Sequence, residues 1–161
     1  MYVRKTERAD IDTVMQIYAR AQKYMVETGN PTQWKKGYPT REMIENDVEK
    51  GISFVCVSEE GVEGVFVYFM GDDPTYTVIE DGEWQNDRPY GVMHRMASAG
   101  RRKGIASFCL DFCFEQCHNL RGDTHKDNKT MQRVFEKNGF TRCGIIYVAD
   151  GTPRIAYQRT K

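Results

Sequence analysis

Six consecutive residues, Arg101-Arg102-Lys103-Gly104-Ile105-Ala106, hold the densest potential for chemistry in this 161-residue chain. They follow an apolar run that reads as a strand, and they open a segment with Ile105, Phe108, Cys109 and Phe112 on one helical face. Backbone N–H groups at a helix start bind phosphate, assisted by the positive end of the helix dipole. Gly104 and Ala106 are small enough for a pyrophosphate to approach the main chain, while Arg101, Arg102 and Lys103 add positive charge. Taken alone, the segment could equally be a solvated basic turn. A second segment, Asn128 to Phe140, also follows a candidate strand and carries Met131, Val134 and Phe135 at helical spacing. Cys109, Cys113 and Cys117 recur every four residues, followed by His118. Thiols so spaced on one helix close a tetrahedral metal site poorly, so they read as an apolar packed face, and no metal is expected.

These segments need a scaffold, and the pattern of apolar residues predicts one. Tyr2–Thr6 reads as a strand, and a helix follows from about Asp10 to Val26, with Asp10 as its N-cap. Residues 29–39 form a loop carrying Trp34 and Tyr38, and a second helix runs from Thr40 to before Gly51. Ile52–Ser58 and Val62–Met70 form an antiparallel hairpin around Glu59, Glu60 and Gly61. Residues 72–89 leave the sheet as a polar excursion, with a weak strand at Tyr76–Ile79. Tyr90–Ala97 is a strand, and the helix opened by the basic turn runs to about Cys117. Leu120–Thr124 is a strand, Asn128–Lys137 a helix with Gly139 as its C-cap, and Phe140–Val148 and Pro153–Tyr157 are closing strands around Asp150-Gly151. The expected fold is mixed α/β, with residues 1–161 as a single domain.

Composition narrows the functional class. Lys plus Arg and Asp plus Glu both number 23, a formal net charge of zero, which argues against a general nucleic-acid binder. No apolar stretch approaches the ~20 residues of a membrane helix, and the N-terminus lacks a signal-peptide pattern. The five cysteines are read as reduced thiols of a cytoplasmic protein. No nucleic-acid or membrane partner is expected. The chain should be a monomer or a homodimer, with the closing hairpin available as a dimer edge.

The two chemical segments together resemble the GCN5-related N-acetyltransferase (GNAT) superfamily. Arg101, Gly104 and Ala106 match its Arg/Gln-x-x-Gly-x-Gly/Ala acetyl-CoA signature, and Asn128, Phe135, Gly139 and Phe140 match its Asn, later aromatic and Gly-Phe pattern. The resemblance implies a mostly antiparallel mixed sheet, flanked by about four helices, in which two neighbouring central strands splay apart. Those strands are Tyr90–Ser98 and Leu120–His125. Acetyl-CoA would lie between them as acetyl donor, its pantetheine beside the main chain of Met96, Ala97 and Ser98, and its pyrophosphate on Arg101, Arg102, Lys103, Gly104, Ile105 and Ala106. Asn128 would bind cofactor or an ordered water through its amide. A main-chain N–H near Met96 would polarise the acetyl carbonyl. Many relatives place a tyrosine where this chain has Phe135, and Phe135 has no proton to give a departing thiolate.

Acyl transfer to an amine requires that the amine lose a proton. Asp123 resembles the glutamate base of ribosomal-protein N-acetyltransferases. His94 resembles a histidine in serotonin N-acetyltransferase-like enzymes, and an unperturbed imidazole titrates near pH ~6.5. His125 is a third choice. An ion pair of Asp123 with Arg95 or Arg121, and a core role for His94, are the plainer alternatives. Trp34, Tyr38, Tyr68 and Trp84 could line an acceptor pocket, sandwiching a flat group or contacting a cationic amine. The expected function is acetyl transfer to a primary amine of a small molecule such as an amino acid or polyamine, by direct attack in a ternary complex. The alternatives are a peptide N-terminus as acceptor, a longer acyl chain, and a non-catalytic acyl-CoA-binding module.

Overall fold

A computed structural model describes residues 1–161. In chain order the elements are β1 (Tyr2–Lys5), α1 (Ile11–Glu27), α2 (Arg41–Glu49), β2 (Ser53–Ser58), β3 (Gly61–Met70), β4 (Gly91–Ser98), α3 (Ile105–Cys117), β5 (Asn119–Thr124), α4 (Lys129–Lys137), β6 (Thr141–Tyr147) and β7 (Pro153–Thr160). Local chemistry sets several of the boundaries. The Thr40 hydroxyl accepts the Met43 amide at 3.2 Å to start α2, and Asn128 Oδ1 accepts the Met131 amide at 3.0 Å to start α4.

The seven strands form one sheet in the order β1-β2-β3-β4-β5-β7-β6, antiparallel throughout except between β4 and β5. Strand alternation sends apolar residues to both faces. Against one face pack α1 and α2, burying Val14, Ile17, Tyr18 and Ile44 on Val55, Val65 and Ala97. On the other, α3 and α4 bury Cys109, Leu110, Cys113, Phe114 and Phe135 on Phe66, Tyr68, Met93 and Leu120. The cysteine ridge of α3 is thus largely core: Cys109 and Cys113 are buried, and all five cysteines are free thiols.

One expected element is absent as such. Residues 76–79 do not form a strand; Pro74–Tyr76 is a single 3-10 turn, and only Glu80 bridges to Ile145 of β6. The Asp73 carboxylate accepts the Thr75 amide at 2.9 Å and Pro74 occupies the first turn position, a combination that starts a helical turn. The Tyr76 ring then seals a small third core with Val92, Cys143, Ile146 and Ala156.

Candidate active site

β4 and β5 pair only at Gly91–Leu120 and Val92–Arg121, although the strands are 8 and 6 residues long. Beyond these pairs they part. β5 stays straight, holding six consecutive partners on β7. β4 is deflected by a bulge at Arg95, which sits at φ 49° and interrupts the β3 ladder between His94 and Ala97. The Tyr18 hydroxyl of α1 pins the bulge by donating to the Arg95 carbonyl at 2.9 Å. Into the foot of the wedge comes Phe135, stacked on Tyr157 at a centroid distance of 4.7 Å. A Cβ on Gly122 would lie 2.8 Å from the tip of that ring, so β5 needs glycine there. The result is a cleft of about 550 Å³ whose walls include Met93, His94, Arg95 and Met96 from β4 and Asp123 and Thr124 from β5.

The basic turn follows the end of β4 and leads into α3, and none of its residues lines the cleft itself. Gly104 caps α3 at φ 81°, a left-handed conformation suited to glycine, and nothing stands within 4 Å of where its Cβ would be. The amides of Ile105, Ala106 and Ser107 precede the first helical hydrogen bond, made by Phe108 to Gly104, and donate to no protein group. Arg101 and Arg102, expected on the pyrophosphate, both reach to the β2–β3 hairpin. Arg101 Nη2 donates to Glu63 Oε1 at 2.7 Å, and Arg102 pairs with Glu59 and with Glu63 Oε2. Glu63 is fully buried and needs this neutralisation. The amides of the turn and exposed Lys103 carry no such ties. Of the β4 residues expected along the cofactor, Met96 lines the cleft; Ala97 is buried toward α1, and Ser98 Oγ accepts the Gly100 amide. Asn128 also lines the cleft; its Oδ1 caps α4 and one of its two Nδ2–H groups donates to Gln33 Oε1 at 3.0 Å.

His94 and Asp123 meet across the wedge, with Nδ1 3.7 Å from Oδ2. Two residues of the excursion hold them there. Asp73 Oδ2 lies 2.6 Å from His94 Nε2, and the Tyr76 hydroxyl donates to Asp123 Oδ2 at 2.6 Å. Burial opposes charge on Asp73, but hydrogen bonds from His94 and Thr75 outweigh it and bring the carboxyl down to about 2. An ionised Asp73 only accepts, so Nε2 carries the hydrogen of this contact, and Nδ1 is the ring nitrogen turned toward Asp123. Burial, then the adjacent Asp123 carboxylate, pushes the Tyr76 phenol well above its ordinary value and keeps it a donor. Asp73 and Tyr76 escaped sequence reasoning because they lie in an irregular segment whose packing no local pattern encodes. The Asp73-Pro74-Thr75 turn signature was the one available signal. His125 stands apart from the cleft: its Nδ1 accepts the Asp127 amide at 3.0 Å, and Nε2 lies 3.2 Å from the Thr32 hydroxyl.

The opposite wall comes from residues 32–38 and the β6–β7 turn. Trp34 and Tyr38 line it, packed in a row with Tyr18 at centroid distances of 5.7 and 5.8 Å. Gln33, Lys35, Asp150 and Arg154 add polar groups. The other two aromatics expected here are elsewhere. Tyr68 alternates to the far face of the sheet and is buried under α3. Trp84 lies outside the cleft, stacked on the Arg121 guanidinium and donating Nε1–H to the Tyr76 carbonyl at 2.9 Å.

Known proteins share this architecture. The family model described as "Acetyltransferase (GNAT) domain" matches residues 1–141. Among solved structures, a GNAT-family acetyltransferase of Streptococcus agalactiae is 30% identical, with TM-score 0.90 over 99% of this chain and 95% of that one. A protein of Staphylococcus aureus described as an acetyltransferase is 20% identical, with TM-score 0.71 over 99% of each chain. The structure of the NatC complex bound to Gag peptide and CoA matches at 12% identity and TM-score 0.66, covering 99% of this chain and 98% of that one. No curated protein matches the sequence. With the family model spanning most of its length, the chain belongs to the GNAT acetyltransferase family.

Proposed function

We propose that the protein transfers the acetyl group of acetyl-CoA to the primary amine of a small molecule, by direct attack in a ternary complex. The observation that carries this reading is that β4 and β5 part where His94 and Asp123 face each other, so that a thioester between the strands would meet a proton acceptor. The residues present suit coenzyme A. The wedge exposes β4 main chain, the amides at the start of α3 lack protein acceptors, and Gly104 leaves space above them. The CoA bound to the NatC relative on the same fold supports the assignment.

Acetyl-CoA supplies an acetyl group activated as a thioester. The protein's part is to bind, orient and move protons. Trp34 and Tyr38 hold the body of the acceptor, and His94 Nδ1 takes the proton from its ammonium group. Imidazolium formed in this way lies between two carboxylates, Asp73 and Asp123, which stabilise it. The freed nitrogen attacks the acetyl carbon, a C–N bond forms as the C–S bond breaks, the sulfur leaves as thiolate, and the second N–H proton, made strongly acidic by acylation, passes to solvent water. The Met96 amide faces the carbonyl oxygen as its charge grows. Phe135 donates no proton, and a thiolate whose acid has a pKa of roughly 8–9 can leave without one. Since no cysteine lines the cleft, an acyl-enzyme is not needed.

The test is thiol release from acetyl-CoA in the presence of a panel of primary amines, with mass spectrometry of the products. Saturable release with an acetylated amine supports the reading. Binding of acetyl-CoA without turnover on any amine would favour a non-catalytic acyl-CoA-binding module, and turnover on peptides alone would move the acceptor to a protein N-terminus.

A further inference from the structure

The acceptor wall contains a cation without a counterion. Arg154, in β7, lines the cleft and is only 7% exposed, yet no carboxylate lies within 4.0 Å of its guanidinium. Its Nη1 donates to Thr152 Oγ1 at 3.0 Å and to the Pro153 carbonyl at 2.9 Å, and its Nη2 to the Gln33 carbonyl at 3.3 Å. A guanidinium has five N–H donors, so the Nε–H and one Nη2–H remain without protein acceptors. The other arginine of the cleft wall, Arg95, is neutralised by Asp47. Nearby Asp150 is occupied with the Thr152 amide and hydroxyl. A buried cation is costly unless something anionic meets it.

Placement gives the anion a role. Asp123 pairs with Ala156 on β7, and Arg154 lies two residues further along the same face, about 7 Å on. The cleft is therefore polarised. Asp73, His94 and Asp123 gather where an amine must lose its proton, and Arg154 lies toward the β6–β7 turn with two donors to spare. We propose that Arg154 binds a carboxylate of the acceptor, so that the amines acetylated are amino acids rather than polyamines or simple amines. This narrows the function proposed above and rests on it.

The experiment measures acetyl-CoA-dependent thiol release with the common amino acids, each paired with the amine left when its α-carboxyl group is removed, such as phenylalanine with phenethylamine. Wild-type protein should favour the amino acid by about tenfold or more in kcat/KM, chiefly through KM, since a bidentate carboxylate contact is made in ground and transition states alike. Arg154→Met should bring the ratio within a pair toward one, with Arg154→Lys between. Three outcomes overturn the assignment. Wild-type protein that prefers the decarboxylated amines, or treats both alike, excludes carboxylate recognition while leaving acyl transfer standing. Parallel loss of both members in the variants makes Arg154 merely a tie to the Gln33 loop. Acetyl-CoA binding with neither member of any pair consumed removes the underlying small-amine reading, and this assignment with it.

Discussion

The Nε2 atom of His94 lies 2.6 Å from Asp73 Oδ2, joining β4 to the turn that opens the excursion. This contact fixes the ring nitrogen that carries hydrogen, and so the nitrogen left to accept one. A carboxylate from outside the sheet thereby orients the ring of the proposed base inside the wedge.

Replacing the base should abolish most of the rate. His94→Gln is expected to lower kcat by about a hundredfold or more, the usual scale for loss of a general base. Asp73→Asn preserves shape but sets an amide against Nε2, and should lower kcat with little change in KM. Steady-state kinetics with one responsive amine measures both. If His94→Gln keeps full rate while Asp123→Asn does not, the proton goes to Asp123 instead.

The depressed carboxyl of Asp73 predicts a stability change in acid. Its native pKa, about 2, lies below the ordinary 3.8. The unfolded chain therefore binds the proton first as pH falls, so the contribution of Asp73 is complete above pH 3.8 and is lost between 3.8 and about 2. Melting temperature measured across this window should fall more steeply for wild type than for Asp73→Asn. Parallel curves would contradict the assignment.

His125 predicts a second change nearer neutrality. Burial, then the charge of Arg154, lowers its pKa below the ordinary 6.5. Its neutral form is favoured in the folded state, so stability is lost as pH falls from 6.5. His125→Gln should flatten the decline in Tm on acidification below that point, read by thermal melts in matched buffers.

The basic turn separates strain from charge. Gly104→Ala faces no clash but places a side chain at φ 81°, a strain of about 1–2 kcal/mol. Gly104→Glu adds an anion at the amides of α3 and should weaken CoA binding by a hundredfold or more, well beyond Gly104→Ala. Calorimetric titration with CoA compares them, and equal affinities in both variants would remove the phosphate cradle.

Arg101 should behave as a structural residue. Arg101→Ala leaves the buried Glu63 without its closest partner. Its Tm should drop by several degrees, with CoA affinity changed less than by Gly104→Glu. The reverse order would return Arg101 to the phosphate site.

Legibility in the sequence followed the range of the interactions. Helix and strand periods and the glycine at the start of α3 are local signals, and the elements they predict stand within a residue or two, apart from a last strand that runs on to Thr160, although Asp10, read as the cap of α1, makes no side-chain capping bond. The wedge was legible only through family resemblance, because it depends on a bulge at Arg95 and on Phe135 reaching Gly122 from another element. Arg101 and Arg102 read as free charge because their partners, Glu59 and Glu63, lie some forty residues earlier on a separate hairpin. Tyr68 was misplaced by strand parity, which decides the face of the sheet and shifts with every uncertainty in register. Asp73 and Tyr76 acquire meaning only when the excursion folds back over β5.

Backbone amide exchange with and without CoA tests the central claim most directly. Coenzyme A gripped in the wedge should slow exchange at Ile105–Ser107 and along β4 from Met93 to Ser98, and Gly104→Glu should abolish that protection. Unchanged exchange at both segments under saturating CoA, or protection confined to another face of the sheet, would contradict the account.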